Sequence, residues 1–565
     1  MDDLTTLLSW IEQPRAENGV RVLGESSQWR AEWARTSYRD LADQARTLAA
    51  GLRRHGMTAG DRICILCPPG PAFIGALYGT WWSGGCAVTL PLPVMYEPPK
   101  RYWPRVSAMI RIARPSLILT SAAFLSGALS EAAGQTRVAT LDEVRDAGRG
   151  EQLAEREPGT DVALIQFTSG SGGPPKAVQI TAGNLSANVQ AITRWIGIND
   201  DDKTATWLPH YHDMGLIGCT LVPVAAQIDI YALRPDQFIR DPIAWLGCLG
   251  ELGATMTASP NFGYHYAATR MRPEQLRGMD FSGWRVGIVG AERINPRTLA
   301  MFAGCLEPYG FKAQTLMPAY GLAEATLAVT GKRPGDHVTA LSLDWLSAGR
   351  ARPVPIQSVH QMPDFDADRA RSWTVSCGRP VDGVAVTIVD DDGQPLPEGA
   401  LGEVAVHGSS VAPGYLDGPP ESVLTTFAGS CLRTGDDGFI WKDELYLAGR
   451  RGDGLKVAGR SVYSGQVELE FGAATAISPS RCTALLGVLT GAEFAAVIVE
   501  ASPGSWVESG AAALRRITGG IGHAIYTAPR GTVARTSSGK PIRQAAWHRL
   551  ASGDLEATCV YRRDQ

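Results

Sequence analysis

No stretch of the 565-residue chain approaches the ~18 consecutive apolar residues of a membrane-crossing helix. The first residues, MDDLTTLLSWIEQPRAENG, are acidic and lack the apolar core of a secretory leader, so a cytoplasmic enzyme without membrane insertion is expected. Basic charge is not in excess: 53 Lys and Arg against 57 Asp and Glu leave a net charge of −4, which argues against nucleic acid as a partner. Cysteine is sparse, with 10 in the chain, and only Cys64 and Cys67 stand close together. Lacking a second pair at ligand spacing, they read as core thiols in a reducing compartment rather than as a zinc site. His210 and His212 in LPHYHDMG also lack a matching ligand pair, and so read as lining a polar pocket.

What the chain does have is a hydrophobic content of 44% and a length beyond one ordinary core. The stretch Asp161–Leu185, DVALIQFTSGSGGPPKAVQITAGNL, organises the rest. Val162, Ala163, Leu164, Ile165 and Phe167 form an apolar run suited to a buried strand. Thr168, Ser169, Gly170, Ser171, Gly172 and Gly173 follow, a segment whose backbone N–H groups can turn toward an anion. Lys176 adds a point charge, and Thr181 is the expected N-cap of a helix that follows the loop. A Ser/Gly linker shares this composition, but would not need a buried strand before it and a capped helix after it. The run is not a Walker A loop, because Lys176 follows Pro175 and precedes Ala177; nor is it a dinucleotide fingerprint, because Pro175 replaces the third glycine.

Elsewhere, Leu41, Ala45, Leu48 and Leu52 share one helical face. Short apolar runs at 62–66, 87–90 and 117–120 alternate with candidate helices at 71–81 and 101–111, and the alternation resumes at 204–208, 228–232, 255–257 and 285–290. This predicts parallel α/β units. Runs at 384–390, 402–407 and 445–447 are separated by turn residues and predict a β-rich lobe. The flexible GRRGDG, 449–454, is the preferred boundary, dividing a large multi-lobed N-terminal part, 1–449, from a small mobile α+β C-terminal domain, 450–565.

Three further segments carry chemistry. In MPAYGLAEATL, Ala319, Tyr320 and Gly321 precede Glu324; the aromatic ring can hold a purine and the carboxylate Mg²⁺. Tyr320 and Glu324 are expected about one helical turn apart; alone, this segment reads sooner as a core Tyr and a solvated Glu. In LRTGDDGFI, Asp436 is suited to accept hydrogen bonds from ribose hydroxyls, or else sits in a solvated turn. ARTSSGKPIRQ presents Lys540 on a small-residue loop.

Thr168-Ser169-Gly170-Ser171, Gly173, Pro175 and Lys176 resemble the phosphate loop of the adenylate-forming superfamily, with Gly172 and Ala177 departing from it. Tyr320–Glu324 resembles its adenine and magnesium motif, Gly290-Ala291-Glu292 the strand end lining the base, and Arg-Thr-Gly-Asp436 its ribose motif. Arg450 matches the nucleotide-contacting arginine and Lys540 the catalytic lysine. Arg293, Gly452 and Pro541 are departures. The segments WLPHYHDMGLIG, ASPNFGYHY, SGWRVGIVGAE, PAYGLAEATLAVTG and SCGRPV look closest to the fatty acyl-AMP ligases, and 341–373 resembles the extra segment that separates these from acyl-CoA ligases.

This resemblance implies ATP and Mg²⁺, the metal held by Glu324 with Thr168, and attack of a fatty or other carboxylate on the α-phosphorus. It implies transfer of the acyl group to an acyl carrier protein or to a polyketide or nonribosomal peptide carrier domain. His212 is then expected beside the carboxylate, and Asn261, Phe262 and Met214 along an acyl tunnel. An acyl-CoA ligase and a catalytically impaired nucleotide-binding relic are the alternatives.

Overall fold

The structure is a computed structural model that describes residues 5–564 except 25–29, 31–32, 94–97, 153–154, 160, 169–174, 346, 363–372, 419–423, 458–459, 479–480, 490, 520 and 536–539. It is an α/β protein built on two large sheets. The first runs, among the described residues, in the order Gly414–Tyr415, Lys176–Thr181, Val162–Thr168, Cys86–Thr89, Arg62–Leu66, Leu117–Thr120, Arg137–Thr140. From Val162–Thr168 to Arg137–Thr140 every pairing is parallel. Helices Tyr38–Arg54 and Pro71–Trp82 cover one face, burying Leu41, Ala45, Leu48 and Leu52 as their spacing predicts. Ser37 starts the first helix with a reciprocal capping box to Asp40, which satisfies two of the backbone groups a helix start leaves open.

The second sheet has a parallel centre in which Leu316–Gly321, Val286–Gly290, Met256–Pro260, Lys203–Thr206 and Asp229–Ala232 lie side by side. Its strand ends carry Gly290, Ala291 and Glu292 and Ala319, Tyr320 and Gly321, as expected where ligands bind outside the carboxyl ends of parallel strands. The β-rich lobe is an antiparallel sheet that includes Val384–Val389, Gly402–Gly408, Cys431–Trp441 and Glu444–Arg450.

Beyond the short turn Arg451–Asp453 lies a hairpin, Gly454–Val457 with Arg460–Tyr463. A sheet of Cys482–Leu489, Ala492–Val499, Gly522–Thr527 and Thr558–Arg563 follows. Helices Ser464–Thr475, Trp506–Thr518 and Arg543–Ser552 complete this part. The segment 341–373 contributes to a small separate sheet in which Thr339–Leu343 pairs with both Ile356–Gln361 and Trp373–Val375.

One local expectation is corrected. The loop after Val162–Thr168 does not lead straight into a helix; it joins an antiparallel hairpin in which Thr168 faces Lys176, and Lys176–Thr181 is itself a strand. The reason is the apolar pattern of Ala177, Val178 and Ile180, which buries this strand between Val162–Thr168 and Gly414–Tyr415. The helix comes one strand later, at Ala182–Ile196, and Thr181 does cap it, with Asn184 closing the box.

Candidate active site

Ser169, Gly170, Ser171, Gly172 and Gly173 lie outside the described residues, but both ends of their loop are placed. Thr168 closes one strand, and Lys176 opens the next with its ammonium 5.9 Å from the centre of the Tyr415 ring. Burial pushes the Lys176 pKa down, while the Glu324 carboxylate pulls it back up.

Tyr320 ends the strand Leu316–Gly321, and Glu324 sits in the tight turn Ala323–Ala325. The two are therefore not on one helix. Leu322 donates its N–H back to the Leu327 carbonyl at 2.9 Å, folding the chain into a loop. Only glycine fits at 321, because a Cβ there would lie 2.0 Å from the same oxygen. Glu324 is 5% exposed, and its Oε1 accepts from the Tyr415 hydroxyl at 2.6 Å. One carboxylate with an oxygen already oriented suits a Mg²⁺ site of the kind completed by substrate phosphates, and Thr168 lies at the end of the strand beside Lys176. Among the described residues there is no group of three or more acidic, His or Cys side chains able to hold a metal by themselves.

The Tyr320 hydroxyl donates to Asp436 Oδ2 at 2.7 Å, and Arg450 Nε donates to Asp436 Oδ1 at 3.0 Å. Asp436 and Arg450 are direct cross-strand partners. The candidate base and ribose groups and the nucleotide-contacting arginine thus form one hydrogen-bonded line. The Asp436 charge holds the Arg450 guanidinium firmly ionised.

Gly290 is the last residue of its strand, and Ala291 follows with φ +64°. That left-handed residue turns Glu292 so that its carboxylate accepts from the Phe262 N–H, at the start of the helix Asn261–Ala268. The residues expected along an acyl tunnel are thereby tied to the strand end that would line the base. Asn261 is bonded to the Asn295 N–H at 3.0 Å, Phe262 is exposed, and Met214 packs against the core that contains Trp207. The Arg293 side chain runs toward the terminal part: a Cβ on Gly465 would lie 3.5 Å from its Nη1. Burial lowers its pKa to about 10 against the pull of Glu468 and Glu470.

His210 and His212 diverge. His210 is buried, with Nε2 3.1 Å from Thr220 Oγ1 and its ring against Phe73. His212 stands just before a π-helical segment, Met214–Leu221, a geometry that recurs at functional sites. Burial, then Lys540 and Arg105, push its pKa down to about 4, so it is neutral at pH 7.

Lys540 is solvent-exposed, yet protein crowds it on several sides. Desolvation and repulsion by Arg450 lower its pKa, opposed by Glu292, Asp213 and Asp436. The adjoining Thr536–Gly539 lie outside the described residues; Pro541 pairs with Arg535 at the loop's base, so the departure at 541 closes the loop. Gly452 lies between two anchored residues. Arg451 bonds Glu403 at 2.6 Å and Asp391 at 2.7 Å, whereas Asp453 accepts from Arg543 at 3.1 Å.

Sequence reasoning missed Tyr415, Asp213 and Arg105. Asp213 is adjacent to a named histidine and was legible by position alone. Tyr415 and Arg105 arrive from remote segments with no local signal.

The AMP-binding enzyme family matches residues 16–416. Medium-chain-fatty-acid–[acyl-carrier-protein] ligase JamA of Moorena producens (strain JHB) is 30% identical over 92% of this chain and 90% of its own. Long-chain-fatty-acid–AMP ligase FadD23 of Mycobacterium tuberculosis (strain CDC 1551 / Oshkosh) is 29% identical over 88% of this chain and 83% of its own. A structure from studies of fatty acyl-adenylate ligases of E. coli and L. pneumophila superposes with a TM-score of 0.86 at 26% identity, covering 98% of both chains. The L. pneumophila fatty acyl-adenylate ligase in complex with acyl adenylate and pyrophosphate gives 0.70 at 25% identity, over 100% of this chain and 98% of that one. The chain belongs to the AMP-binding enzyme family and has the fold of the adenylate-forming enzymes.

Proposed function

We propose that the protein is a fatty acyl-AMP ligase that passes its product to a carrier-protein thiol. In the first step a fatty carboxylate oxygen bonds to the α-phosphorus of ATP, and the bond to pyrophosphate breaks. In the second a phosphopantetheine thiolate bonds to the acyl carbon, and AMP leaves.

Two anions must meet in the first step, so the site must offset negative charge as it develops. Lys540 is poised for this because its charge lies among those of Asp213, Glu292 and Asp436. Lys176 faces the phosphate side beside Glu324. Neutral His212 can donate its ring N–H to the fatty carboxylate without adding charge. Tyr320, Asp436 and Arg450 form one line along which base and ribose would be held. Mg²⁺ at Glu324 and Thr168 would neutralise charge on the leaving phosphates.

The single observation that carries this reading is that Lys540, from the C-terminal segment, feels the charges of Asp213, Glu292 and Asp436 from three other segments. We read residues 450–565 as a small domain that delivers Lys540, with Gly452 as its hinge. Preference for a carrier over coenzyme A is supported by the insert, whose Trp345 ring lies 6.4 Å from that of Tyr463 in the terminal part. Pyrophosphate release from ATP with a panel of fatty acids tests the first step. No release with any acid would overturn the reading.

A further inference from the structure

Between Pro98 and Ser130 the chain carries Lys100, Arg101, Arg105, Arg111 and Arg114 and no carboxylate, although its net charge is −4. Four of these cations ride on one helix, Pro99–Ala113. Its inner face, Tyr102, Val106, Met109 and Ile110, packs into the core that contains Ile165, Phe167 and Ala177, the strands that bracket the phosphate loop. Lys100, Arg101 and Arg111 are exposed, and Arg105 is half-buried. Arg114, at the helix end, is paired with Asp417 at 2.6 Å. The stripe is not remote from the chemistry, because the Arg105 charge acts on His212, which also feels Lys540.

We infer that the outer face of the helix Pro99–Ala113 is the docking surface for the carrier, and that it selects a carrier whose surface around the thiol arm is acidic. This inference rests on the carrier reading above. Charge complementarity favours the occupant: a stripe without carboxylates on an otherwise anionic protein would be self-repelling for no gain unless an anionic surface meets it. Its place against the strands that bracket the phosphate loop, with the Arg105 charge acting on His212, puts that surface within reach of the adenylate.

The test uses the full-length protein as Lys100→Glu/Arg101→Glu and as the milder Lys100→Gln/Arg101→Gln, each checked for an unchanged melting temperature. Three quantities are measured: acyl-adenylate formation without acceptor, transfer to free pantetheine, and transfer to an acidic phosphopantetheinylated carrier at low and high salt. The first two should match wild type. The kcat/KM for the carrier should fall at least about tenfold in the Glu variant at low salt and less in the Gln variant, with the gap narrowing at high salt. An unchanged carrier kcat/KM in the folded Glu variant would overturn the inference, as would an equal loss with pantetheine. Loss of adenylate formation in both folded variants would assign the cations to phosphate handling and overturn it too. Failure of wild type to form an adenylate would instead sink the function reading itself.

Discussion

The Tyr463 hydroxyl donates to Asp437 Oδ2 at 2.7 Å, and Arg350 holds the other oxygen of the same carboxylate. Three segments meet there: the terminal hairpin, the β-rich lobe and the insert. Asp437 is 3% exposed, so its charge is tolerated only because both partners are present. Around it Leu341, Leu343, Trp345, Phe439, Tyr446 and Tyr463 form one apolar cluster. The insert is thereby packed against both the body and the terminal part.

Tyr463→Phe keeps this packing and removes one hydrogen bond to a buried charge, a loss of about 1.5–3 kcal/mol. We expect a lower melting temperature and a measurable rise in acyl-CoA formation when coenzyme A is supplied, because the terminal part is less firmly held. An unchanged melting temperature and no new product would show that the contact holds nothing.

Lys540→Ala should leave folding unchanged, since the residue is exposed. Losing one preorganised charge at the transition state typically costs about 2.7–4 kcal/mol, so pyrophosphate release should fall 10²–10³-fold. Near-wild-type release would remove Lys540 from the mechanism.

Tyr320→Phe retains the ring but takes away the hydroxyl 2.7 Å from Asp436. ATP should bind more weakly by about 1.5–3 kcal/mol, read as a raised KM for ATP with kcat less affected. Asp436→Asn should be worse, because it also removes the charge that Arg450 faces. Equal KM values for all three proteins would contradict the nucleotide line.

The parallel strands were legible because their apolar runs are continuous: 62–66 and 117–120 coincide with Arg62–Leu66 and Leu117–Thr120. Motif residues carried the candidate site, since Tyr320, Glu324, Asp436 and Arg450 each follow a distinctive local string. Tertiary partners were not legible. Tyr415 reaches Glu324 across 91 positions, and nothing in its own neighbourhood signals that contact. The hairpin strand Lys176–Thr181 is masked in the sequence because its short apolar pattern runs directly into the strong helix signal that begins at Thr181.

Buried His210 has its pKa lowered to about 3 by desolvation, so it stays neutral in the fold while the unfolded chain takes a proton below about 6.5. Its contribution to stability is complete above that pH and is lost as the pH falls from about 6.5 toward 3. The full loss is on the order of 5 kcal/mol. Glu292 and Asp213, whose pKa values are raised by burial, act in the opposite sense, so the effect is isolated by difference. The stability gap between wild type and His210→Gln should shrink or reverse in favour of the variant between pH 7 and pH 4.5, as followed by denaturant unfolding. A gap independent of pH would mean that His210 protonates freely in the fold.

The most direct test of the central claim supplies the intact protein with a competent fatty acid, ATP and Mg²⁺, then offers coenzyme A and a phosphopantetheinylated carrier in separate reactions. Acyl-AMP with pyrophosphate should form in both, and the acyl group should move to the carrier while acyl-CoA stays at background. A variant lacking residues 342–372 should gain acyl-CoA formation. Efficient acyl-CoA formation by the intact protein would contradict the account.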